Sequence, residues 1–369
     1  MAGGPRNAIV GRRRLLSSSV SLLSGLGVRL GGSTAPPPLH GGGGGGRVDP
    51  VRSVGTLAYE EVSASSDGVA PASTALLLHG LLGSSRNWRT FARNLAEGSP
   101  APPLQVGWRM VLVDLRNHGN QLVPEGFSQS GEIHNWTWPD VVIGHSMGGK
   151  VALEFARSCA CGEYGVSSAL PKQVSMFDSR FLSFLVAEQL WVLDSVPGKV
   201  NAEDSDGEVE KVLRTLHSLP PLLPSRKWVV DHMLQLGFSR SLSEWIASNL
   251  KKDGEHLTWA FDLQAAIDMF RLLQVKSISL SLSLYRERGA RTLLEHPPGG
   301  LEIEMVCAEN SDRWSPQQRQ AGEAGPPGEM AAAWRGRPRS TSSKVRSLVH
   351  VDNPKGLLEI MVPRFFVKA

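Results

Sequence analysis

Gly144-His145-Ser146-Met147-Gly148 places a hydroxyl between two glycines, at the junction of an apolar run (Val141–Ile143) and a helical pattern (Lys150–Ala160). A serine in that setting can attack an acyl carbon. A strand-to-helix turn lifts its Oγ clear of the chain, and the helix N-terminus aims N–H groups at the reacting carbonyl. The turn is tight enough that side chains two residues away would strike neighbouring backbone, which explains Gly144 and Gly148. The Met147 N–H then becomes one donor of an oxyanion hole. A second donor belongs to the loop after Ala75–Leu78, where His79-Gly80 leads into Leu81, the expected N–H, and Leu82, the alternative. Dehalogenase or epoxide-hydrolase chemistry would want an aspartate at the turn, and Ser146 rules against it.

A serine nucleophile needs a base to take its proton and a carboxylate to orient that base. In this motif context the chain order is serine, acid, histidine. Asp194 ends the apolar run Leu190–Leu193, and Asp312 follows the later run Ile303–Val306, so both compete for the acid role. Asp262 and Asp268 lie on a helical pattern, where solvated or capping roles are expected. His79 and His118 belong to turns before Ser146 and read as structural or pocket-lining. His145 diverges from its neighbour Ser146, and His296 sits in a His-Pro-Pro turn.

The elements that must hold these groups follow from the hydropathy pattern. Short continuous apolar runs (Ala75–Leu78, Met110–Val113, Val141–Ile143, Leu190–Leu193 and Ile303–Val306) each end in a polar or glycine-rich turn. Such runs read as strands buried on both faces, hence a parallel sheet. Helical patterns over Trp88–Leu95, Lys150–Ala160 and Leu357–Phe366 alternate with them, giving an α/β architecture with its site at the carboxyl ends of the strands. Residues 199–275 differ: charged and apolar residues alternate at helical spacing between proline clusters, predicting a helical insertion that caps the site.

HGLLGSSRNW (79–88), DLRNHG (114–119), GHSMGGK (144–150), VLDSVPG (192–198) and HVDNPKG (350–356) together resemble the alpha/beta-hydrolase domain-containing protein 11 family, over roughly residues 55–365 and in the same motif order. The resemblance implies an alpha/beta-hydrolase fold: a mostly parallel central sheet flanked by helices, with a helical cap. It also implies a serine hydrolase acting on acyl esters or thioesters, without cofactor or metal, and a mitochondrial or plastid address. In the family the orienting acid can sit at the strand end occupied here by Asp194, which favours Asp194 over Asp312. The family carries a Gly-His-Trp-Val-His run before its Asp-Asn-Pro. Arg346, Ser347, Leu348, Val349 and His350 stand there, so Ser347 occupies the catalytic-histidine position and His350 is the base that remains. A crippled triad of this kind can retain acyl-ligand or partner binding with slow turnover, which is the alternative function. The stretch 316–346, rich in Gly, Pro, Ala and Arg, shows no strand period where a strand should lead into that loop, and reads as a reading-frame or exon departure. Val174–Glu188 and Val275–Leu284 look inserted, and the 24 residues between Gly119 and Gly144 lack a clear helix.

Composition narrows the remaining classes. The 369 residues are 41% hydrophobic, enough for a real core, and carry a net charge of +4. That charge is local. Six arginines and no acid fall in residues 1–48, and 313–346 holds seven basic residues against Glu323 and Glu329. The rest has 26 basic against 33 acidic residues, so the body is mildly acidic and nucleic-acid binding is not expected. Residues 1–50 are Arg- and Ser-rich and end in a Pro/Gly linker, the chemistry of a transit peptide. The folded body is expected over 51–369. No run of 18 apolar residues occurs, and three cysteines without zinc spacing read as reduced thiols.

Overall fold

The computed structural model describes residues 9–10, 14–15, 57–64, 71, 73–98, 107–119, 139–160, 188–196, 207–274, 293–294, 297–298, 301–308, 311, 314, 339–341 and 348–365. Asp312, Arg346 and Ser347 lie outside these residues. So do most of the basic tail, the Gly/Pro/Ala/Arg stretch apart from 339–341, the proposed insertions apart from Glu188, and the span 120–138.

The central sheet contains β3 (Ala58–Ala64), β4 (Ser73–Leu78), β5 (Trp108–Val113), β6 (Val141–His145), β7 (Gln189–Leu193), β10 (Glu302–Ala308) and β11 (Arg339–Thr341), ordered β3-β5-β4-β6-β7-β10-β11. Every neighbouring pair from β5 to β11 is parallel, and β3 adds an antiparallel edge. At that edge β1 (Ile9–Val10) and β2 (Arg14–Leu15) pair antiparallel with β3. β11 falls in a stretch without strand periodicity. Its pairing, Val306 to Arg339 and onward, is supplied by the open backbone edge of β10.

Strand alternation explains why the apolar runs are continuous. Val142, Leu190 and Val192 face one core with α2 (Met147–Ala160), while Val141, Ile143, Trp191 and Leu193 face a second core. That second core is closed by α1 (Arg89–Glu97) and α8 (Pro354–Phe365). All five residues of β6 and of β7 are buried because helices cover both faces.

Between β7 and β10, the described residues 207–274 form an insertion of helices and one hairpin. Helices α3 (Gly207–Ser218), α4 (Arg226–Gln235), α5 (Arg240–Ser248) and α6 (Leu263–Gln274) enclose a third apolar cluster. Ser225 and Ser239 cap α4 and α5 by accepting from the Trp228 and Leu242 N–H groups. Within the stretch expected to be helical, the chain turns at Asn249 into a hairpin of β8 (Leu250–Asp253) and β9 (His256–Trp259). Gly254 at φ +60° makes its turn. Among the described residues no helix is long and apolar enough to cross a membrane.

Candidate active site

β6 ends at His145 and α2 starts at Met147, so Ser146 alone makes the turn. It does so at φ +52°, a conformation that a non-glycine residue holds only under constraint. Its N–H donates to the Leu193 carbonyl (2.9 Å), and its carbonyl accepts from Gly149 (2.9 Å), so strand and helix grip it from both sides. A Cβ on Gly144 would lie 2.3 Å from the Gly148 carbonyl oxygen, and one on Gly148 would lie 2.3 Å from the Leu78 carbonyl oxygen. No alanine fits at either place. Ser146 is half-buried between buried neighbours.

The loop after β4 faces this turn. A Cβ on Gly80 would lie 3.0 Å from His145 Nδ1 and 3.2 Å from the Ser146 Cβ, tighter than ordinary contact, so the two segments approach closely there. Leu82 sits at φ +63°, and its N–H donates to His118 Nε2 at 3.1 Å. The Leu81 N–H has no hydrogen-bond partner among the described residues. Of the two oxyanion donors considered, Leu82 is already committed and Leu81 is available. Met147, as the first residue of α2, has no intrahelical acceptor for its N–H.

Asp194 follows β7 at φ +43° and is fully buried. Its carboxylate accepts from the Ala308 N–H (3.2 Å), the Ser311 hydroxyl (3.2 Å) and the Trp314 indole N–H (2.9 Å). These donors hold the carboxylate in place. Trp314 was not singled out in the sequence. The only signal for it was an indole N–H two residues beyond Asp312, in need of an acceptor once buried.

His350 lies on the short helix α7 (Val349–Asp352), buried in the second core. Its ring stacks on Trp88 (centroids 3.9 Å apart, planes 12° apart) and meets the His145 ring edge-on at 5.1 Å. Neither ring nitrogen has a hydrogen-bond partner, so His350 bonds neither Ser146 nor Asp194. Burial, then the neighbouring His145 and His79, hold its pKa well below the ordinary imidazole value. Ser146 and Asp194 are thus both at carboxyl ends of adjacent strands, while His350 is spent on packing in this conformation.

His79 and His118 form a pair. The His79 Nε2 accepts from the Leu115 N–H (2.9 Å) and its Nδ1 faces the Gly80 carbonyl (2.8 Å). The His118 Nδ1 faces the Arg116 carbonyl (2.8 Å). An Nε2 that accepts from an amide carries no proton, so both rings are neutral with the proton on Nδ1. Burial lowers the pKa of His79, opposed by Asp114 and by the Gly80 carbonyl. Burial, then His79, lowers His118 to about 3. The buried Asp114 carboxylate accepts from the Ser85 N–H (2.7 Å). Among the described residues no cluster of three or more His, Cys, Asp or Glu side chains could hold a metal ion.

A family model for the alpha/beta hydrolase family matches residues 75–358. The chain is 24% identical over 212 residues to the sn-1-specific diacylglycerol lipase ABHD11 of Danio rerio, covering 54% of this chain and 56% of that one. It is 33% identical over 100 residues to the same-named lipase of Mus musculus, covering 24% and 30%. The chain thus spans about half or less of these relatives' length. Among solved structures it is similar in fold to a marine microorganism esterase (TM-score 0.52, 17% identity, covering 83% of this chain and 98% of that one). It is also similar to the peroxisomal alpha-beta-hydrolase Lpx1 of Saccharomyces cerevisiae (TM-score 0.51, 14% identity, covering 86% and 83%).

Proposed function

As the chain belongs to the alpha/beta hydrolase family, we propose that it is a serine hydrolase of the esterase, lipase or thioesterase type, with Ser146 as its nucleophile. One observation carries this reading. Ser146 is held at φ +52° between strand and helix, with glycines at both positions where a side chain would collide. Strain of this kind persists where surrounding structure enforces it, and here it presents the hydroxyl.

In the proposed reaction the Ser146 Oγ attacks the acyl carbon and its proton passes to a base. The carbonyl oxygen, now negative, lies between the N–H groups of Met147 and Leu81. Collapse expels an alcohol or thiol, which takes a proton, and water then releases the acyl group. Asp194 is the orienting acid, with Asp312 as the alternative. Residues 199–275 are read as a cap on a body of 51–369, and the apolar cluster of the described part of the cap suits an acyl chain. The relatives named as diacylglycerol lipases make an acylglycerol the first natural ester to try. The Arg-rich, acid-free tail supports an address in mitochondrion or chloroplast.

A second reading has its own support. His350 stacks on Trp88 without a hydrogen bond to Ser146 or Asp194, so its use as base requires the ring to leave that stack. A protein that keeps this arrangement binds an acyl ligand and turns it over slowly. The two readings part in a turnover assay on a series of p-nitrophenyl acyl esters. Hydrolysis abolished by Ser146→Ala supports the enzyme. Equal rates in the wild type and Ser146→Ala leave only the binding module.

A further inference from the structure

Leu82 is held by two different parts of the molecule, in a constrained backbone conformation. Its side chain is buried in the apolar cluster of the cap, which also holds Leu223, Phe261 and Phe270. Its N–H donates to His118 Nε2. Its backbone takes φ +63°, in the left-handed region. The turn that carries His118 is in turn seated on the cap. His118 forms an antiparallel bridge with Phe261, the Asn117 carbonyl accepts from the Asp262 N–H (2.9 Å), and the His118 and Phe261 rings lie 6.2 Å apart. On the other side of the loop, Ser84 Oγ donates to Asn249 Oδ1 (2.9 Å), and Asn87 Nδ2 donates to Ser248 Oγ (3.0 Å), both at the end of α5.

We propose that His118 is a positioning residue for the oxyanion loop: by accepting the Leu82 N–H it fixes the peptide that leaves the Leu81 N–H open to a substrate oxygen, and by its bridge to Phe261 it ties that geometry to the seating of the cap. The proposal rests on the serine-hydrolase reading of the same site. Adjacent N–H groups in a loop cannot both be reassigned without rotating the peptide between them. If Leu82 loses its acceptor, its N–H seeks another, the left-handed turn relaxes and Leu81 moves. An acceptor that is a neutral, fully buried imidazole nitrogen suits this task, because its second nitrogen is fixed by the Arg116 carbonyl and the ring cannot turn. His79 braces the same two loops in the reverse sense, with its Nε2 accepting from Leu115.

The test compares the full-length wild type with His118→Phe and His118→Gln. Wild-type labelling by a fluorophosphonate comes first; if the folded wild type is not labelled at Ser146, the hydrolase reading fails. The His118 link is then judged by hydrogen exchange alone, where a protected Leu82 amide supports it and a freely exchanging one overturns it. With wild-type labelling established, His118→Phe should lower kcat and the labelling rate about 10- to 100-fold, as for a displaced oxyanion donor, with KM within about 2-fold. Affinity for a trifluoromethyl ketone, which forms the tetrahedral anion, should fall in step with kcat. His118→Gln, whose amide oxygen can accept from Leu82, should recover most of the loss. Should His118→Phe fail to fold, His118→Gln and wild-type exchange at Leu82 decide the matter. Variants that lose stability while kcat and ketone affinity stay at wild-type values overturn the proposal, as does a Leu82 amide that exchanges like an exposed loop residue.

Discussion

Acidification from about pH 7.5 to about pH 5 should destabilise the fold by about 2 kcal/mol through His118 alone. In the unfolded chain this histidine takes up a proton near its ordinary value of 6.5; in the fold, burial and then the neighbouring His79 keep it neutral down to about 3. A folded-state pKa below the unfolded one means that the unfolded chain binds more protons, so stability is full above about 6.5 and falls as the pH drops towards 3. At about pH 5 the unfolded form gains RT ln(1 + 10^1.5), or about 2 kcal/mol. His79 and His350, both lowered by burial, act in the same direction. Urea unfolding followed by tryptophan fluorescence across that pH range reads the effect. His118→Gln should flatten the curve by about one proton's worth of slope. A wild-type stability constant to within about 0.5 kcal/mol over the range would refute the neutral, buried pair of histidines.

Gly148→Ala should lower unfolding stability by about 3 kcal/mol or more, because its new methyl would overlap the Leu78 and His79 carbonyl oxygens; a normal urea midpoint would contradict the packing at the turn. Asp194→Asn puts an amide N–H against the Ala308, Ser311 or Trp314 donors and should cut kcat about 100-fold or more, and unchanged turnover would remove Asp194 from the acid role. Arg346→Gly with Ser347→His restores the family's pair and should raise ester hydrolysis; no gain in a folded variant would place the defect in the scaffold.

The turn around Ser146 was legible in the sequence because its demands are local: a tight turn excludes side chains at fixed offsets, and Gly144 and Gly148 record that directly. The strands were legible because both faces of β6 and β7 are covered, leaving unbroken apolar runs. The partner of the Leu82 N–H was not legible. It comes from His118, 36 residues away, through a turn whose position depends on the cap. The β8–β9 hairpin, inside the expected helical insertion, was not legible because its strands have four residues each and are partly exposed, leaving no clear alternation of period two. His350 kept its place in a family motif, yet its surroundings, Trp88 and His145, lie in distant segments and make it a packing residue here.

The most direct measurement is peptide mass spectrometry of the full-length protein after reaction with a fluorophosphonate. The expected result is one phosphonyl adduct on the peptide that carries Ser146, absent from Ser146→Ala. A folded protein with no adduct at Ser146, or with its adduct on another serine, would contradict the assignment of Ser146 as the nucleophile.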